Sequence, residues 1–339
     1  MKTKMKRSKW SLILAAFMVT LSTSCENNLI FEGEGDCGVY YNIHFKYDYN
    51  MKYANAFANE VNSVALFVFD QNGTLIESVV EDNATALSSE SFSIPLELPR
   101  GNYELLSWAG LMDESSFDLL ANVQEGVTKK EELKVKMNRT TTGGVSVVNN
   151  DLKPLYHGTL SLNVTDEEGT YHETMSLTKD TNVIRIVLQQ NEESDLTVDE
   201  FDFEITAANG YYNWDNSLLA DETIHYKPWA VSNGTASVGK AVTSVTVAVA
   251  EMTIGRMIDG QSPILTVKKK SDGEVVFQIP VADYALLVKG HYNSKMSNQE
   301  YLDRQDEYNM TFFLGEDDQW ISSSIIINAW TVVLDDIIL

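Results

Sequence analysis

Alternation of apolar and polar residues dominates the chain from residue 39 onwards. Val39, Tyr41, Ile43, Phe45 and Tyr47 interleave with Asn42, His44, Lys46 and Asp48, the period of a strand with one buried face. The apolar run 64–69 ends at Asp70-Gln71-Asn72-Gly73 and resumes over 74–80; Asn-Gly between two such runs predicts a hairpin. Phe92, Ile94, Leu96 and Leu98 alternate up to the turn Pro99-Arg100-Gly101-Asn102, after which Tyr103, Leu105 and Ser107 lead to Trp108. A short helix is predicted over 113–123 and a strand over 133–137. The Thr- and Gly-rich stretch 138–154 reads as a linker. Strands resume at 159–164, 170–177, 183–189, 201–206, 244–250, 264–268 and 275–279, and only 281–288 and 300–306 read as helices. The chain closes on a strand over 308–314, an acidic turn at Gly315-Glu316-Asp317-Asp318, and the apolar run 325–334. Residues 325–339 either complete their own sandwich or are donated to a neighbour. This spacing predicts an all-β chain of two tandem antiparallel sandwich domains, 38–150 and 151–339.

The first 37 residues follow a different pattern. Lys2, Lys4, Lys6, Arg7 and Lys9 precede the apolar stretch 10–21, about half the ~20 residues that a spanning helix needs, so residues 1–24 read as a removed secretory signal. The small residues Ser22, Thr23 and Ser24 then precede Cys25, whose thiol is the group able to take a diacylglycerol as a thioether. Leu21 lies four residues before the cysteine, where the usual bacterial lipoprotein box has its Leu three before. Cys25 is the expected lipidation site, and 25–37 the acidic tether behind it. Only Cys37 remains as a second cysteine, so no internal disulfide framework is available once Cys25 is modified.

Charge narrows the partners. Without the leader's five basic residues, 20 basic residues stand against 49 acidic ones, a net charge near −29. Such a surface repels nucleic acid and anionic bilayers alike, so membrane affinity has to come from acyl chains.

Chemistry-bearing motifs are few. The histidines at 44, 157, 172, 225 and 291 lack metal-ligand spacing, and no phosphate loop, dinucleotide fingerprint or Gly-x-Ser-x-Gly occurs. The acidic clusters at 192–195, 199–202 and 316–318 read as solvated turns. No enzyme activity, cofactor or metal is expected. Tyr211, Tyr212 and Trp214, with Tyr226 and Trp229, have the composition of a carbohydrate platform or of rings plugging the open end of a sandwich.

One resemblance covers nearly the whole mature chain. Cys25 with its acidic tether, Lys46-Tyr47-Asp48-Tyr49-Asn50-Met51-Lys52, Val64-Ala65-Leu66-Phe67-Val68-Phe69-Asp70, Leu96-Glu97-Leu98-Pro99-Arg100-Gly101-Asn102-Tyr103, Leu177-Thr178-Lys179-Asp180-Thr181-Asn182, Glu307-Tyr308-Asn309-Met310 and Ile327-Asn328-Ala329-Trp330 occur in an order that resembles the FimB/Mfa2 family of Bacteroidales fimbrial lipoproteins. The resemblance implies two transthyretin-like sandwiches and a minor subunit that anchors a fimbrial shaft to the outer membrane and affects its length. Shaft subunits are its implied partners, with strand addition as the implied contact. Related shaft subunits are freed by an Arg/Lys-specific protease that removes an N-terminal strand. Here residues 26–45 contain no Lys or Arg. Lys46 falls inside the first predicted strand, and Arg139 is the expected exposed site. The expected protein is therefore an uncleaved, surface-exposed anchor. The alternative is a glycan-binding or adhesin-like lipoprotein; a hydrolase has only the abundance of carboxylates in its favour.

Overall fold

A computed structural model describes residues 38–111, 116–165, 168–190, 194–238 and 243–333. Cys25, Cys37, the leader and the tether lie outside them. The architecture is all-β.

Strand Val39–Lys46 is the middle of a three-stranded sheet, between Gly169–Ser176 in parallel and Ser93–Glu97 in antiparallel pairing. Its alternation is realised: Tyr41, Ile43 and Phe45 are buried, while Asn42, His44 and Lys46 face outwards. A five-stranded sheet packs on its inner face, ordered Thr178–Lys179, Tyr156–Val164, Gly101–Ala109, Val64–Phe69 and Leu75–Glu81.

The run Val64–Phe69 is buried at every position, which explains why it reads as continuous rather than alternating. Val64, Leu66 and Val68 enter the core shared with the three-stranded sheet, while Ala65, Phe67 and Phe69 enter a second, larger core on the opposite face. Leu105 and Leu106 divide between the two cores in the same way.

The larger core lies between two six-stranded sheets. One runs Ala230–Val238, Thr243–Gly255, Thr181–Gln190, Glu307–Leu314, Trp320–Ile327 and Trp330–Val333; the other Val275–Pro280, Ile264–Lys269, Phe201–Ala207, Ile224–Tyr226, Val145–Val148 and Thr140–Thr142. Ile184, Ile186 and Leu188 from the first face Phe203, Ile205, Leu265 and Val267 from the second within that core. A small sheet of Tyr211–Tyr212, Val135–Met137 and Phe117–Leu119 adds Tyr212, Val135, Met137 and Phe117 to it.

Two expectations are corrected and two are refined. The supposed linker contains a hairpin, Thr140–Thr142 with Val145–Val148, turned by Gly143 and Gly144 at φ 59° and 85°; two successive positive φ values suit a tight hairpin turn. No break in pairing falls at residue 150. That hairpin joins the second sandwich, whereas Tyr156–Val164 and Gly169–Ser176 return to the first, and the chain passes over for good at Asp180. Most strand pairs are antiparallel as expected, with parallel pairs at Val39–Lys46 with Gly169–Ser176, at Thr181–Gln190 with Glu307–Leu314 and at Ile224–Tyr226 with Val145–Val148. Finally, Phe117–Leu119 is a strand where a helix over 113–123 is predicted; residues 112–115 lie outside the described set. The two predicted late helices occur as Val281–Leu286 and Asn298–Arg304. The run 325–334 is broken by Asn328 at φ 55°, and Trp320–Ile327 and Trp330–Val333 both pair within their own sheet.

Candidate anchoring strand and docking edges

Strand Val39–Lys46 joins the tether to the folded body, and its side chains determine how firmly. Tyr41 stacks on Tyr171 at 5.0 Å and donates its hydroxyl to the Asn163 carbonyl at 3.2 Å. Phe45 stacks on Phe57, which stacks on Phe92, and Tyr47 meets Tyr156 edge-on at 5.1 Å. Burying rings of this size stabilises by roughly 1.5–3 kcal/mol each, so removing the strand would open the smaller core.

Lys46 ends that strand inside the ladder. Its carbonyl accepts from the Leu177 amide at 2.8 Å and its Nζ lies 3.0 Å from Asp48 Oδ2. Arg139 is not the exposed site expected of it. Its side chain is 7% exposed, and its guanidinium contacts Asp221 at 2.8 Å and the Met137 carbonyl. The exposed basic residue near the strand is Lys52, in the turn after Tyr49. That turn is clamped across the molecule: the Arg304 guanidinium sits 4.2 Å from the Tyr49 ring and 5.0 Å from that of Tyr53, and the Arg304 carbonyl accepts from the Met51 amide at 3.1 Å.

The passage from first to second sandwich is a buried polar latch. Lys179 Nζ contacts Asp306 at 2.6 Å and Glu60 at 3.4 Å. Next to it Asp180 is fully buried; its Oδ1 accepts from Asn216 at 2.8 Å and lies 3.7 Å from Arg256. Arg256 donates to both oxygens of Asp303, at 2.8 and 2.9 Å. Burial pushes the Asp180 carboxyl up to about 7, with Arg256 and Asn216 opposing the rise. Residues 177–182 thus serve to join the two sandwiches.

The histidines and aromatic candidates do not converge. His157 is buried against Trp108, donates to the Trp214 carbonyl at 2.9 Å, and is pushed down to about 4 by burial. His225 pairs with Glu204 at 3.0 Å, and His291 stacks on Trp330. His44 and His172, far apart in sequence, meet across the three-stranded sheet. The Trp214 ring is covered by Lys130 Nζ at 4.3 Å, and Trp229 donates to Thr253. Tyr212 and Tyr226 are wholly buried, as plugging requires. Among the described residues no group of three or more His, Cys, Asp or Glu is placed to hold a metal, and no helix is long and apolar enough to cross a membrane. Of the acidic clusters, Asp195 accepts from the Thr246 amide and Asp318 from Gln190; Glu192 and Glu193 lie outside the described residues.

Strand edges are the other feature of note. Val80, Val231, Val275 and Val333 are all more than half exposed, and each lies on an outermost strand: Leu75–Glu81, Ala230–Val238, Val275–Pro280 and Trp330–Val333. Edge strands with free main-chain groups and apolar side chains are templates for strand addition.

A doubly cored β-sandwich protein, held by a central N-terminal strand and offering apolar strand edges, has the construction of a subunit for assembly. The chain belongs to the family of fimbrillin-A associated anchor proteins Mfa1 and Mfa2, which matches residues 34–336. Among solved structures it is similar to a candidate adhesin from Bacteroides thetaiotaomicron, at 35% identity over 88% of this chain and 98% of that one, with a TM-score of 0.78. It is also similar to a candidate polysaccharide-binding protein from the same organism, at 31% identity over 88% and 99%, with a TM-score of 0.75. The fimbrial anchor protein Mfa2 from Porphyromonas gingivalis shares the fold at 18% identity over 88% and 99%, with a TM-score of 0.64. A search of curated protein sequences finds no match. The chain is accordingly a fimbria-associated, adhesin-like protein of the cell envelope.

Proposed function

We propose that this protein is a non-enzymatic anchor that fixes a fimbria to the outer membrane through lipid on Cys25, after removal of residues 1–24, and that it limits the length of the shaft. The observation that carries this reading is the retained N-terminal strand. Val39–Lys46 lies between two neighbours with three core side chains buried, and residues 26–45 before and within it contain no Lys or Arg. A trypsin-like protease has nothing to cut in the tether, and a cut at the exposed Lys52 leaves the strand held by its ladder and its core side chains, so the lipid attachment persists. Shaft subunits are the partners, received by strand addition at an exposed edge.

Cys25→Ser is the direct test. The wild-type chain should incorporate labelled palmitate and fractionate with the outer membrane, whereas Cys25→Ser should lose the label and leave the membrane fraction. Deleting the gene should release fimbriae into the medium. Fimbriae that remain cell-bound after deletion would sink the anchor reading, even if Cys25 proved to be lipidated.

A further inference from the structure

The outer face of the three-stranded sheet brings two imidazoles together. His44 on Val39–Lys46 and His172 on Gly169–Ser176 sit diagonally across the parallel pair, since His172 lies opposite Asn42 and His44 opposite Thr174. His44 Nε2 is 3.1 Å from His172 Nδ1, and the ring centroids are 5.3 Å apart. His44 Nδ1 lies 3.1 Å from the Phe92 carbonyl oxygen. A carbonyl can only accept, so Nδ1 carries the hydrogen and the Nε2 lone pair is left facing His172. Fixing a ring through Nδ1–H on a main-chain carbonyl, with Nε2 free, is how metal-ligating histidines are commonly oriented.

We propose that His44 and His172 form a two-imidazole site for a divalent cation of the zinc or copper(II) class, which pins the N-terminal strand to its parallel neighbour. Imidazole nitrogens suit these ions. With bonds of about 2.0–2.1 Å, the nitrogen spacing corresponds to an N–metal–N angle of about 100°, suited to adjacent positions of a tetrahedral or tetragonal ion. Binding breaks the N–H···N bond between the rings. Two nitrogen–metal bonds form, and His172 moves its proton from Nδ1 to Nε2, so no net proton is released. Water fills the remaining positions. Asn42, Ser93 and Thr174 pair beside the two histidines, and none of them is a carboxylate able to raise the site to high affinity.

Titration of the full chain with zinc sulfate or copper(II) chloride tests this, in a Cys37→Ser background so that thiol binding is counted apart. One saturable site is expected, tighter for copper, and weakened at least tenfold by His44→Gln or by His172→Gln but not by His225→Gln. Amide hydrogen exchange provides the local readout. Metal at one hundred times its Kd should slow exchange through opening of Val39–Lys46 by about 100-fold, and the effect should disappear in both variants. Equal affinity in wild type and variants, or no binding at all, would reduce the pair to an ordinary imidazole hydrogen bond and overturn the proposal. Both variants alter outward-facing residues, so native melting curves without metal are expected, and a metal-free loss of fold would be read from the wild-type exchange data instead.

Discussion

At the scale of single residues, two buried groups titrate in opposite senses. Asp180 is raised by burial to about 7. A raised carboxyl favours the protonated fold, so its contribution is complete below the ordinary value near 3.8 and is lost as pH rises towards 7. His157 is pushed down to about 4, so its contribution is complete above the ordinary 6.5 and is lost as pH falls towards 4. Between pH 4 and 6.5 the two slopes oppose each other. Relative to wild type, Asp180→Asn should leave stability rising more steeply with pH in this window, and His157→Gln should leave it falling; urea unfolding at a series of pH values measures both. Neither residue stood out chemically in the sequence. Asp180 belongs to a stretch that carried the family resemblance, but its burial depends on Asn216, Arg256 and Asp303, which only the fold brings together.

At the scale of elements, strands with one wet face were legible and strands with unusual surroundings were not. Val39–Lys46 and the first half of Gly101–Ala109 followed from alternation, because period two survives wherever one face meets solvent, and Val64–Phe69, buried on both faces, followed from its continuous apolar run. Thr140–Thr142 was hidden because every side chain in it is exposed, and Ala230–Val238 because Gly, Ser and Asn interrupt it. The protective value of the first strand can be measured directly. Phe45→Ala should cost about 3–5 kcal/mol of unfolding free energy, as for other buried phenylalanines. Trypsin on the folded chain should leave Lys46 intact and, among the basic residues near the first strand, nick at the exposed Lys52, with the segment before that nick still bound. A freely separating N-terminal peptide would show that core contacts do not hold the strand without the covalent link.

At the scale of the whole molecule, one sheet serves two cores. Because Val64–Phe69 contributes alternate side chains to each, damage on one face reaches the other. Phe67→Asp, whose side chain belongs to the larger core, should therefore abolish a single cooperative melting transition rather than unfold one half alone, as calorimetry would show. The tandem division read from sequence missed this coupling, since a continuous apolar run does not reveal that its two faces serve different layers.

The parallel pairing of the first strand has a mechanical consequence. Val39–Lys46 is matched residue for residue with Gly169–Ser176 over eight positions, and its N-terminal end points towards the tether. If the tether is fixed in a membrane and the body holds a shaft, as proposed above, a pull along the strand axis would load these hydrogen bonds in shear, so that they resist together instead of unzipping one at a time. A fimbria dragged by flow would then test the joint in its strongest direction.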